Sequence, residues 1–174
     1  TNKPYHPGTI ISLNAPVETA VPTITGIFGH KGYSVISVEK AMMNAELGFG
    51  RRVLQVLEEE GISFEHLPTG IDTMCVVVNG EALAPKREAV LSRIVDSVEP
   101  DTITVHDNMS IIATVGRGMV HNCGTAARLF SAMSRARINV RMIDQGSSEL
   151  SIIVGVDDSD FEATIKAIYN EFVG

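Results

Sequence analysis

The run ISFEHLPTGIDTMCVVV (62–78) is answered 76 residues later by INVRMIDQGSSELSIIV (138–154). At that offset Ile62-Ser63-Phe64 falls on Ile138-Asn139-Val140, Gly70 on Gly146, and Met74 to Val78 on Leu150 to Val154. Similarity at a fixed spacing means that one structural unit is used more than once. Working backward from the same run, Gly48 falls on Gly124, Val53 on Leu129, Leu54 on Phe130, Leu57 on Met133 and Met43 on Met119. A duplicated unit accounts for most of the chain.

Each copy reads the same way. Phe49, Val53, Leu54 and Leu57 keep helical spacing while Arg51, Arg52, Gln55 and Glu58 face away, and Ala126, Leu129, Phe130 and Met133 repeat that face. Two short β-branched and apolar runs follow each helix, Ile62 to Leu67 then Thr73 to Val78, and Asn139 to Ile143 then Leu150 to Gly155, with glycine-bearing turns between them. A second helix comes next: Pro85 leads into Leu91, Ile94, Val95 and Val98, and the acidic turn Asp157, Asp158, Asp160 leads into Phe161, Ile165, Ile168 and Phe172. Strands Tyr33 to Lys40 and Met109 to Gly116 precede the first helices, and Thr102 to His106 supplies a fourth strand to the first copy. The second copy has no such strand after its last helix, whereas Pro22 to Phe28 is a strand-like run without an owner. Giving it to the second copy removes a bare sheet edge. The expected fold is therefore α+β, two ferredoxin-like βαββαβ units with the first inserted in sequence within the second. The units are 31–107 and 22–30 plus 108–174, and 1–21, with two prolines and a glycine in its opening run, reads as a linker. One face of each four-stranded sheet is left open, and another unit is its expected cover.

The 174 residues carry 14 Lys+Arg against 21 Asp+Glu, a net charge of −7, with three Tyr, six Phe and no Trp. A nucleic acid or an anionic membrane needs a basic surface, so neither is an expected partner. The longest apolar stretches, Met74 to Val78 and Ile111 to Val115, fall far short of the ~20 residues that span a bilayer, and no signal segment opens the chain; a cytoplasmic protein is expected. Cys75 and Cys123 stand far apart with no metal-type spacing, which fits a reducing compartment.

Chemistry concentrates in Met42-Met43-Asn44-Ala45-Glu46-Leu47-Gly48-Phe49-Gly50, a loop that opens a helix through two glycines. Free amides at a helix start attract a carboxylate. Glu65 on the next strand and the turn Thr69-Gly70-Ile71-Asp72 offer acceptors for an ammonium group, so the pattern suits an amino acid. From spacing alone, a plain turn beside a solvated strand glutamate is the favoured reading of the same residues. Gly48-x-Gly50-Arg51-Arg52 lacks the spacing of a P-loop. The five histidines, His6, His30, His66, His106 and His121, are scattered, Ser147 and Ser148 form no nucleophile elbow, and no catalytic or metal-binding residue is assigned. A small ferredoxin-like hydrolase lacks its phosphate loop here, and an RNA-binding sheet lacks exposed strand aromatics.

ELGFGRR (46–52), EHLPTGID (65–72) and MIDQGSSE (142–149) together resemble the tandem ACT domains of the regulatory region at the C-terminus of aspartate kinases, and the likeness runs over essentially the whole chain. The resemblance implies a nested pair of ACT units that binds an end-product amino acid, lysine and/or threonine, and mediates feedback inhibition. The parent enzyme would transfer the ATP γ-phosphate to the side-chain carboxylate of aspartate. No cofactor is implied for this chain, since ATP and Mg²⁺ belong to the kinase domain. It also implies an effector site at Met43, Glu46, Gly48, Phe49, Gly50, Glu65, Thr69, Gly70 and Ile71, shared between the first ACT units of a homodimer. Lysine-sensitive members commonly carry Asp where Glu65 stands and Ser-Glu where Gly70-Ile71 stand. A freestanding amino-acid sensor acting on another protein is the alternative, and a kinase domain upstream of Thr1 would exclude it.

Overall fold

The computed structural model describes residues 22–173; the expected linker at 1–21 lies outside them. Six strands form one antiparallel sheet in the order β2-β3-β1-β4-β6-β5. They are β1 (Gly26–Glu39), β2 (Phe64–His66), β3 (Thr73–Asn79), β4 (Thr102–Val115), β5 (Met142–Asp144) and β6 (Ser151–Asp157). The helices are α1 (Phe49–Glu59), the single turn α2 (Gly80–Leu83), α3 (Arg87–Val98), α4 (Thr125–Arg135) and α5 (Phe161–Phe172).

Where the sequence suggests four separate strands at the centre, the chain makes two, β1 and β4, each of 14 residues. They pair from Gly26↔Val115 to Glu39↔Thr102, with the register slipping between His30 and Val35. Gly32 at φ 84° and Asn108 at φ 55° turn the backbone through that slip. Tyr33 pairs with Met109 there. These two residues are equivalents under the 76-residue repeat, so a pseudo-two-fold axis passes between them and exchanges the pair Ile36↔Val105 with Gly29↔Ile112. The N-terminal part of β1 pairs only with β4, whose C-terminal part also pairs with β6, while the rest of β1 lies between β3 and β4.

α1 and α4 keep the 76-residue offset at both ends. The hairpin does not. Asn79 pairs with Tyr33 and Asp157 with Met109, which makes the offset 78 at β3 and β6. Met74, Val76 and Val78 thus correspond to Ile152, Val154 and Val156, two residues beyond the match that the sequence suggests. A strand of alternating valine and isoleucine matches itself at any even shift, so the sequence match could not register the longer second turn.

Two cores follow the two helix pairs. Ile36, Val38, Val76 and Val78 of the sheet pack with Val53 and Leu57 of α1 and Val90, Ile94 and Val98 of α3. Ile112, Ile152, Val154 and Val156 pack with Leu129 and Met133 of α4 and Ile168 of α5. Each such side chain fully buried is worth roughly 1.5–3 kcal/mol. The apolar face of α3 differs from the expected one: Val90 is fully buried, whereas Val95 is 41% exposed.

The face turned away from the helices is also filled. Val35, Val77, Met109, Ile111 and Met142, drawn from both halves of the sheet, form a third buried cluster. The sheet curls so far that its two edge strands meet, His66 Nδ1 of β2 lying 3.6 Å from Asp144 Oδ2 of β5. The expected cover is therefore the other half of the same sheet. No helix among the described residues is long and apolar enough to cross a membrane.

Candidate functional site

The loop between β1 and α1 is held at several points. Lys40 N and Asn44 N donate to the carbonyls of Asp72 and Ile71, at 2.9 and 3.1 Å. Met42, at φ 59°, donates its amide to Asp72 Oδ1 at 2.8 Å, and Ala41 donates to Asp101 Oδ2 at 2.7 Å. The turn on the other side is closed by Gly70 N to Thr73 O at 2.7 Å and Thr69 Oγ1 to Leu67 O at 3.0 Å. Loop 40–48 and turn 69–72 thus form one ledge at one end of the sheet.

Of the residues singled out from sequence, Glu46, Gly48, Gly50, Thr69, Gly70 and Ile71 lie on this ledge. Met43 and Phe49 do too, but both are buried, and they belong to the first core. Gly48, at φ 75°, caps α1 in the left-handed conformation. The amides of Gly50 and Arg51 in the first turn of α1 have no preceding helical turn to bond to.

Glu46 is the electrostatic centre of the ledge. Its carboxylate takes Lys40 Nζ at 2.7 Å and pairs with the Arg52 guanidinium. The hydrogen bond from Lys40 is the chief cause that holds its carboxyl below the usual carboxylate range, and the Arg52 charge adds to it. Lys40 Nζ also donates to Val98 O at 2.6 Å, which places a cation at the C-terminal end of α3.

Glu65 stands elsewhere. It lies on β2 where that strand slips against Val77 and Val78, four residues from Thr69, or roughly 13 Å of extended chain. It is exposed, and its charge adds to the burial that raises the Tyr33 phenol pKa. Within one chain Glu65 is therefore separated from the ledge.

The ledge also carries apolar surface that sequence reasoning passed over, Met42 and Leu47, which with Ile71 are 72%, 93% and 69% exposed. The clue was available in ordinary side-chain chemistry, since a leucine between a glutamate and a glycine at a helix start belongs to no buried face. Among the described residues no group of three or more His, Cys, Asp or Glu side chains is placed to hold a metal ion.

Residues 112–172 match the family model of the ACT domain. Aspartokinase 3 of Bacillus subtilis is 39% identical over 173 residues, which is 99% of this chain and 38% of that protein. Among solved structures, the aspartate kinase of Clostridium acetobutylicum superposes with a TM-score of 0.84 at 47% identity, over 87% of this chain and 35% of that one. The regulatory subunit of aspartate kinase from Thermus flavus shares the fold, with a TM-score of 0.73 at 20% identity over 86% of this chain and 98% of its own. The fold is that of an ACT-domain protein. More narrowly, the chain belongs to the ACT-domain regulatory regions of aspartokinases. It spans little more than a third of the length of the first relatives it matches.

Proposed function

We propose that the chain is the amino-acid-sensing region of an aspartokinase and mediates its feedback inhibition by lysine and/or threonine. Its two ACT units would be 31–107 and 22–30 plus 108–174, the first inserted in the second. The parent enzyme would act in the cytoplasm, phosphorylating aspartate with ATP, and would hold ATP and Mg²⁺ in a kinase portion outside this sequence.

The observation that carries this reading is the ledge. Loop 40–48 and turn 69–72 are bonded backbone to backbone, and beside them the first-turn amides of α1 offer donors for a carboxylate. Around them Met42, Leu47 and Ile71 offer apolar surface of the kind that a second copy covers. Glu65 joins the site from the partner protomer, because in its own chain it stands four residues, roughly 13 Å of extended chain, before Thr69. The effector residues are then Met43, Glu46, Gly48, Phe49, Gly50, Thr69, Gly70 and Ile71 of one chain with Glu65 of the other. A ligand bridging two chains shifts the enzyme only by its differential affinity for the two states, which a shared site supplies directly.

The test is calorimetric titration of the chain with lysine, threonine, methionine and aspartate, with dimer content followed by sedimentation. Saturable binding of lysine or threonine that promotes the dimer and weakens in Glu65→Ala is expected. Absence of binding by all four at millimolar concentration would remove the site assignment.

A further inference from the structure

The curled sheet encloses a cavity of about 260 Å³ between its two halves. Val35, Met109 and Met142 form its apolar wall, while Ser37, Cys75, His106 and Arg141 supply its polar groups. It lies on the face away from the helices and is lined by residues other than those of the ledge.

The donors here are only partly spent. Ser37 is 8% exposed and accepts from Cys75 Sγ at 3.7 Å, and its own hydroxyl proton has no acceptor among the described residues. Arg141 Nη1 donates to Asp157 Oδ1 at 3.0 Å, and no other bond is made by its guanidinium among those residues. No carboxylate lines the cavity. The unused N–H groups of Arg141 and the Ser37 hydroxyl thus favour an acceptor such as a carboxylate, and an ammonium group would meet no carboxylate in the lining. The buried apolar wall favours a short aliphatic body. Small-molecule sites combine an apolar wall with a few convergent polar groups in this way, in volumes from about 300 Å³ upward, so the occupant is small.

We propose that this seam cavity is a second small-molecule site, for a monocarboxylate with a short branched aliphatic body and no ammonium group. Its carboxylate takes the free N–H groups of Arg141 and the Ser37 hydroxyl, and its alkyl end lies against Met109 and Met142. An occupant touches both halves of the sheet, and the His66–Asp144 contact ties the edges of the same curl.

The test uses the seven methionine methyls as reporters in the ¹³C-methyl-labelled chain, titrated with isocaproate, with its amide and with leucine. Saturable shifts centred on Met109 and Met142 are expected for isocaproate, with the amide and leucine binding more weakly. Arg141→Gln and Ser37→Ala should each weaken isocaproate, the former about tenfold, as loss of a charge-assisted hydrogen bond predicts. Met43 and Met74 in the first core and Met119 and Met133 in the second report whether each variant keeps its fold. No saturable shift at Met109 or Met142 would overturn the proposal. So would equal affinity for acid and amide in the unaltered chain, an outcome that needs no variant. Neither result touches the ledge, whose binding is read by calorimetry with amino acids.

Discussion

At the scale of single residues, Glu46 and Gly48 set the shape of the ledge by different physics. Glu46 is a carboxylate held below its ordinary pKa, chiefly by the hydrogen bond from Lys40. Folded, it binds a proton less readily than unfolded, so its stabilisation is present above the ordinary carboxylate range and is lost as pH falls through the lowered value. Glu46→Gln should lower stability near neutrality and flatten part of the acid loss of stability, measured as the urea midpoint across that pH window; an unchanged pH profile would contradict this. Gly48 contributes a conformation instead. A Cβ there would meet only the ends of Arg52 and Arg51, at 3.7 and 3.8 Å, so the cost of Gly48→Ala is the left-handed backbone itself, about 1 kcal/mol. Gly124, its repeat equivalent at φ 85° with nothing within 4 Å, should cost the same. Urea unfolding of both variants checks this, and a clearly larger loss in one would mean that it also makes a packing contact. Both glycines were legible from sequence as helix-start residues. The burial of Phe49 followed from its helical spacing with Val53 and Leu57, but that of Met43 did not, because a loop residue carries no periodicity to say which way it points.

Among the elements, helices were read more accurately than strands, and the reason is their periods. The positions of Val53, Leu57, Leu129 and Met133 fix the inner faces of α1 and α4 uniquely, and both helices start where the repeat places them. A strand repeats every two residues, so β6 was matched two positions early and two long strands were read as four short ones. The slip at Gly32 and Asn108 broke the alternation that would have shown each strand as continuous. The segment entering β1 shows how close packing, unlike periodicity, leaves its mark as glycine. Gly116 and Gly118, in the loop after β4, lie against the backbone of Pro22–Ile24, where a Cβ would collide with the carbonyl oxygens of Thr23 and Pro22. Gly116→Ala and Gly118→Ala should therefore displace this segment. Thr25 N, bonded to Val115 O at 2.8 Å, should then exchange its amide hydrogen faster. Protection of Thr25 equal to that of the unaltered chain would mean that the loop moves instead of the segment.

For the whole molecule, the shared strands decide how it comes apart. A pair of independent units would have two cores and two transitions, but here β1 and β4 run through both halves and pair over their whole length. Unfolding the second half would strip β6 from β4 and free the N-terminal part of β1, while the third cluster loses Met109, Ile111 and Met142 from beside Val35 and Val77. The first half would then keep strands that had lost their continuation and an inner face that had lost its cover, so partial unfolding exposes apolar surface on the part that stays folded. One cooperative transition is expected. Leu129→Ala tests it from a position that touches only the second core: Leu129 is fully buried in α4, and truncating such a side chain costs about 2–5 kcal/mol. The methyls of Met43 and Met74 report the first core, and those of Met119 and Met133 the second. In urea, the variant should shift both sets to the same lower midpoint, because a defect in one half is felt through β1 and β4 by the other. If the first-core signals kept their original midpoint while the second-core signals moved, the halves would be energetically separate. The sheet would then be unable to carry a signal from the ledge of the first half to the helices of the second.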